Sequence, residues 1–219
     1  MTEKRGKCLV TVYAEVPAEI EEEYNRWYDT HHIPARLQVP GFLSAARYVA
    51  YNGKPKYLTL YELESFGVFK HPQMVKLNNE PTEWDQRIMP QVQIVERAIY
   101  DRIFECGEAP ERHASRATTV RFDPPTEVEA EFNDWYDKDH VPSLVAVPGM
   151  HCGRRYKKRW GEGAQYLALY EFDDESIPAS DAWNKAADSE WTRQILPKLG
   201  PMKRARHRLI FEAQGQSNG

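Results

Sequence analysis

Two histidines occupy equivalent places in a stretch that occurs twice. The copies are Tyr24-Asn25-Arg26-Trp27-Tyr28-Asp29-Thr30-His31-His32-Ile33-Pro34 and Phe132-Asn133-Asp134-Trp135-Tyr136-Asp137-Lys138-Asp139-His140-Val141-Pro142. An imidazole titrates near neutrality, so His32 and His140 are the side chains best suited to general acid or base work. Each follows a tyrosine by four positions, which on a helix stacks Tyr28 with His32 and Tyr136 with His140. The bland role for a histidine beside a proline is a helix cap, bonding the last carbonyls. Asp29 and Asp137 precede the histidines by three and could orient each ring, although exposed last-turn aspartates would show the same spacing. Asp-x-x-His lacks a third ligand and a His-x-x-x-His or cysteine partner, so no metal site is expected.

Arg47 and Arg155 sit at matching points of the chain, each followed by tyrosine. Inside a pocket such an arginine would grip a substrate carboxylate with two parallel hydrogen bonds; on a polar strand face it would only be solvated. The copies also differ. His31 is matched by Asp139, and Tyr100 by His207, so a working site could survive in one half alone. No Gly-x-Gly-x-x-Gly, Walker loop, Gly-x-Ser-x-Gly elbow or Cys-His pair is present, which argues against nucleotide cofactors and acyl-enzyme chemistry.

The elements that must position these residues recur as well. Cys8 to Ala14 reads as a strand, and Ile20, Tyr24, Trp27, Tyr28 and His31 mark the apolar stripe of a helix. Ile33-Pro34 should stop that helix, because the residue before proline avoids helical dihedrals. Trp27 and Trp135 are expected to anchor their helices on the sheet. Val39-Pro40-Gly41-Phe42 suits a type II turn, followed by strands over Phe42 to Tyr51 and Lys56 to Leu63 with a hairpin at Asn52-Gly53-Lys54-Pro55. A proline-broken helical region and a strand from Gln93 to Glu105 complete β-α-β-β-α-β. The second half repeats this order, with Gln165 to Phe172 matching Lys56 to Leu63. The expected division is residues 1–107 and 108–219, with a linker over about 106–117 and a frayed tail over about 213–219.

Such a unit is the ferredoxin-like split motif, with both helices on one face of four antiparallel strands. Alternation along the third strand sets Leu58 and Leu60 against Tyr57, Thr59 and Tyr61. Assigning the leucines to the helices leaves an aromatic sheet face, and two halves can cover each other face to face. Tyr57, Tyr61, Tyr166 and Tyr170 would then line a pocket inside a barrel, or simply pack the interface.

Composition suits a globular protein of this size: 219 residues, 41% hydrophobic and 12% aromatic, at a formal net charge of −4. Mixed charge leaves no basic face for nucleic acid. No stretch resembles a membrane span or signal-peptide core, so a cytoplasmic location is expected. Cys8, Cys106 and Cys152 show no disulfide or zinc spacing.

The repeated Trp-Tyr-Asp-x-x-His-[Ile/Val]-Pro, followed by Val-Pro-Gly on this element order, resembles the dimeric α+β barrel superfamily and, within it, the EthD-like proteins. That resemblance covers both halves. It implies an α+β fold in which two ferredoxin-like modules form one barrel, closed here within a single chain that is a monomer or homodimer. Relatives of that fold include isomerases, polyketide cyclases, decarboxylases, cofactor-free monooxygenases and haem-binding enzymes. The reading that follows is a cofactor-independent isomerase, lyase or decarboxylase acting on a small aromatic or unsaturated carboxylated or phenolic molecule. His32 or His140, with Asp29 or Asp137, would move a proton. Tyr28, Tyr136, Arg47, Arg155, the four barrel tyrosines and His207 would hold the substrate. A haem protein, a cofactor-free monooxygenase and a non-catalytic ligand-binding protein are the alternatives.

Overall fold

Runs of alternating, β-branched and aromatic residues fold into eight strands in the computed structural model, which describes residues 5–215. The first half supplies β1 (Cys8–Glu15), β2 (Phe42–Asn52), β3 (Tyr57–Leu63) and β4 (Gln93–Gly107). The second supplies β5 (Arg116–Phe122), β6 (Met150–Glu162), β7 (Tyr166–Phe172) and β8 (Lys203–Gln214). All pair antiparallel in the order β1-β3-β2-β8-β5-β7-β6-β4, which closes into a barrel. Closure depends on two seams between the halves, β2 with β8 and β4 with β6. Two ferredoxin-like halves thus form one dimeric α+β barrel within one chain.

The helices are α1 (Glu21–Trp27), α2 (Ile33–Leu37), α3 (Pro72–Asn79) and α4 (Glu83–Ile88), then α5 (Glu129–Trp135), α6 (Val141–Val145), α7 (Asp181–Ala187) and α8 (Glu190–Ile195). Their apolar faces cover the outer surface of the strands. Among the described residues, no helix is long and apolar enough to cross a membrane. Gly41, at φ +90°, and Gly149, at φ +87°, supply the left-handed residue of the two Pro-Gly turns. Phe42 N–H and Met150 N–H close those turns on Val39 O and Val147 O, each at 3.1 Å.

The two faces of the sheet are the reverse of the expectation. Leu58, Leu60, Leu167 and Leu169 point into the barrel with Leu9, Tyr13 and Tyr48, whereas Tyr57 and Tyr61 pack outward with Tyr24, Trp27 and Tyr28. Tyr166 and Tyr170 do the same with Phe132 and Trp135. An eight-stranded barrel has an interior only wide enough for side chains to fill it. Leucines and alanines share that space with Tyr13, Tyr48, Tyr100 and Tyr156, and among the described residues Tyr57, Tyr61, Tyr166 and Tyr170 line no pocket there.

Two end regions also differ. β4 runs through Gly107 and β5 starts at Arg116, so the connection is shorter than 106–117. Ala213 and Gln214, expected to fray, belong to β8, and Gly215 N–H bonds Leu43 O at 2.8 Å. The rest of the expected tail, 216–219, lies outside the described residues.

Candidate functional site

The histidine-bearing helix does not stop at proline. Tyr28–His32 forms a π turn, and Ile33 keeps helical dihedrals (φ −67°, ψ −51°) while its N–H bonds Tyr28 O five residues back. Proline in a regular helix lacks the N–H and presses its ring on the carbonyl four residues earlier. One wide turn ahead of Pro34 relieves both problems, and α2 continues to Leu37. Tyr136–His140 repeats the device. His32 is therefore within a continuous helical path and is not a terminal cap.

Three neighbours fix His32. The Trp27 ring lies 4.2 Å from the imidazole, centroid to centroid, and Tyr28 lies 4.8 Å away. Arg36, one turn further along, places Nη1 3.0 Å from His32 Nδ1 and 3.2 Å from its carbonyl oxygen. A guanidinium only donates, so Nδ1 accepts and Nε2, on the opposite edge of the ring, carries the proton. Asp85 Oδ1 stands 3.9 Å from Nδ1, at ion-pair rather than hydrogen-bond distance, and accepts from Trp27 Nε1 at 3.0 Å. Asp85 is held in turn by a capping box at the start of α4 with Thr82. His32, the Thr82 cap and the Trp27 indole lie against its carboxyl and hold it below the usual carboxylate range. Burial, reinforced by the Arg36 charge and only partly opposed by Asp85, lowers the His32 pKa to about 3. His32 is thus neutral at ordinary pH.

His32 faces a cavity of about 110 Å³ between the outer sheet surface and the helices. Val10, Val12, Phe42, Phe69 and Met74 make most of its wall apolar, with Tyr28 and Tyr61 among them. Tyr61 is buried, with its hydroxyl turned to that of Tyr28. Arg36 and Arg97 complete the lining. A second, more polar chamber adjoins the first, sharing His32, Arg36, Met89 and Arg97 and including His31, Thr82 and Asp85. His31 Nε2 lies 3.0 Å from Thr82 Oγ1, tying the π turn to the α4 cap.

Several expected site residues have other partners. Asp29 does not orient His32; its Oδ1 accepts from Arg47 Nη1 at 2.5 Å, while Arg47 Nη2 donates to Asn25 Oδ1 at 2.7 Å. Asp137, Arg155 and Asn133 repeat that clamp at 2.5 and 2.7 Å. Arg47 and Arg155 are each 1% exposed and stacked among aromatic rings. Already bonded and absent from the lining of either cavity, they bind helix to strand. The Tyr57 and Tyr166 hydroxyls are likewise committed, donating to Glu21 and Glu129. His207 is inside the barrel with Nε2 3.0 Å from Thr119 Oγ1, away from both helix-side cavities.

The second half keeps the histidine but loses its polar partners. Leu144 stands where Arg36 does, and Thr192, accepting from Trp135 Nε1 at 3.0 Å, stands where Asp85 does. His140 Nδ1 makes no hydrogen bond. Burial and the nearby Arg204 charge lower its pKa to about 3. Asp139 accepts from Ser189 at the α8 cap, so the His31/Asp139 difference preserves a helix-to-helix tie by other chemistry. Sequence reading missed Arg36, Asp85 and Arg97. The available signal for the first two was departure between copies: Arg36 against Leu144, and Asp85 against Thr192 inside the otherwise matching Glu-Trp-x-x-x-Ile segment.

Barrel, external helices and helix-side cavity define a dimeric α+β barrel protein. No protein-family model matches the sequence, and no curated protein does either. Among solved structures, a Fusobacterium nucleatum protein designated a candidate monooxygenase superposes with a TM-score of 0.68 at 14% identity, covering 95% of each chain. An anthrone oxidase-like protein gives 0.67 at 11% identity, covering 99% of this chain and 95% of the other. A chlorite dismutase mutant from Candidatus Nitrospira defluvii gives 0.64 at 8% identity, covering 95% and 92%. At such identities the likeness is one of fold.

Proposed function

We propose that the first half is a cofactor-free oxygenase site for an electron-rich aromatic substrate bound as its phenolate or enolate. The observation that carries this reading is the contact of Arg36 Nη1 with His32 Nδ1, which leaves Nε2 as the donor of a ring set in the wall of a mostly apolar cavity. A neutral ring of that kind, with the Arg36 and Arg97 guanidinium groups on the same lining, suits stabilisation of an oxyanion. Such an anion is electron-rich enough to reduce O2 without a metal or flavin. For an anthrone-type CH2 group the substrate carbon loses a proton to solvent through the outer chamber and gives its electrons to O2. A C–O bond forms, the O–O bond breaks with departure of water, and the products are the quinone carbonyl and one H2O. The names of the fold neighbours, monooxygenase and anthrone oxidase-like, support the same direction.

The isomerase, lyase or decarboxylase reading is weaker, because a proton shuttle needs a ring that is basic near neutrality, and His32 is not. Haem does not suit His32 either. An axial histidine offers iron a lone pair while its other nitrogen donates to an acceptor; here the Nδ1 lone pair is taken by Arg36 and Nε2 is protonated. The repeated Trp-Tyr-Asp-x-x-His-[Ile/Val]-Pro motif is the feature that favours a narrower likeness to EthD-like proteins.

Oxygen uptake by the purified chain with a dihydroxyanthrone tests the assignment. The expected result is enzyme-dependent uptake with quinone formed in equal amount, unaffected by chelator. Uptake no faster than the spontaneous background, or activity that appears only after haem is added, overturns it.

A further inference from the structure

The second half holds a separate cavity of about 170 Å³ whose lining the oxygenase reading does not use. It occupies the position related to the first cavity by the repeat, with Thr118 for Val10, Val120 for Val12, Tyr170 for Tyr61 and Arg204 for Arg97. Its chemistry is different. Thr118, Tyr170 and His140 all line it, and Thr118 Oγ1 and His140 Nδ1 make no hydrogen bond among the described residues. Thr118 is 2% exposed, so bulk water does not satisfy it. The Tyr170 hydroxyl is turned to that of Tyr136. Buried polar atoms left unpaired in this way are rare in folded proteins, and two on residues of one cavity wall mark a place for a polar group.

Charge narrows the class of ligand. Arg204 lines the cavity, and among the described residues its side chain makes one weak hydrogen bond, to Met202 Sδ at 3.6 Å. Arg206, also on the wall, donates to Pro178 O. The one carboxylate on the lining, Asp188, is paired with Arg193 at 2.9 Å. Thr192, in place of Asp85, brings no charge. The remainder of the wall, including Val120, Leu144 and Trp183, is apolar. We infer that this cavity is a non-catalytic binding site for a small carboxylate with an apolar body, its oxygens meeting Thr118 and His140 with Arg204 as counter-cation.

Isothermal titration of the full chain with benzoate tests this, with benzyl alcohol and inorganic phosphate as comparison arms. Benzoate is expected to bind, benzyl alcohol to bind far more weakly, and phosphate not to compete. Arg204→Gln should weaken benzoate by roughly tenfold or more, as expected for loss of a charge-assisted contact. Thr118→Val should also weaken it while raising the melting temperature of the free protein, because an unpaired buried hydroxyl is removed. Arg204 is exposed, so its variant tests the proposal even if Thr118→Val folds poorly. Oxygen uptake by Arg204→Gln should match wild type, which separates this site from the oxygenase assignment. Absence of benzoate binding, equal binding of phosphate, or binding abolished by Arg97→Gln but untouched by Arg204→Gln overturns the inference.

Discussion

At the scale of single residues, the central point is that His32 is held as a donor. If its task is to present Nε2–H to an anion, a neutral amide can partly replace it. His32→Gln should keep oxygen uptake within roughly tenfold of wild type, whereas His32→Ala should lose about 10²–10³ in kcat, the usual cost of one oxyanion donor. Steady-state kinetics decide it: equal losses in the two variants would mean that the ring acts by some other route. A second prediction concerns acid. His32 and His207 are buried, and burial lowers both pKa values to about 3 from an ordinary 6.5. Between those values the unfolded chain binds protons that the native chain refuses, so stability is full above the unfolded pKa and falls as pH drops. Each group contributes up to about 1.4 kcal/mol per pH unit in that window. Urea unfolding at about pH 7 and about pH 5 should show a smaller acid loss for His32→Gln than for wild type. His32 itself was legible because the motif is duplicated. Its protonation was not, because that follows from Arg36 and from burial, and neither is visible before the helix is packed.

At the scale of elements, the helix order, the strands and the Pro-Gly turns follow from periodicity and from proline and glycine placement. Two features did not. Alternation tells which side chains share a strand face, but not which face is inside, and an inverted choice moved Tyr57, Tyr61, Tyr166 and Tyr170 to the wrong side. The proline rule stopped the helix at Ile33, where a π turn instead carries it through; one extra residue per turn leaves no mark in an apolar stripe. The Arg47 and Arg155 clamps join these elements, each holding the residues around a π turn to the second strand of its half. Arg47→Ala leaves the Asp29 and Asn25 side chains without their partner and empties a slot between three tyrosine rings. A loss of about 2–4 kcal/mol is expected, below the full cost of breaking a buried pair because Asp29 is partly exposed. Arg155→Ala should cost a similar amount, and a shift in the urea midpoint worth less than about 1 kcal/mol would show that the clamps are no stronger than surface pairs.

At the scale of the whole molecule, the two halves, taken as residues 1–107 and 108–219, are joined by more than their strand seams. Deep in the barrel, Arg154 of the second half donates to Glu62 of the first at 2.6 Å and to Glu171 of its own half at 2.5 Å. All three side chains are at most 1% exposed. Glu62 and Glu171 are equivalent in the repeat, but Arg154 is matched by Ala46, so one cation from one half bridges a pair of carboxylates across the pseudo-symmetric interior. Arg5, 3.5 Å from Glu171, supplies a second positive charge. Arg154→Met should therefore destabilise the chain by about 3–5 kcal/mol, since it strands buried carboxylates with only part of their compensation. The loss comes from uncompensated charge rather than from missing volume. Adding Glu62→Gln to the same chain should then recover a large share of it, because the amide can still accept from Gly6 N–H, which the carboxylate holds at 3.2 Å, while Glu171 keeps Arg5 as its counter-charge. Urea unfolding of the single and double variants measures both steps. A double variant as unstable as Arg154→Met would mean that the arginine acts by filling the barrel rather than by balancing its charge.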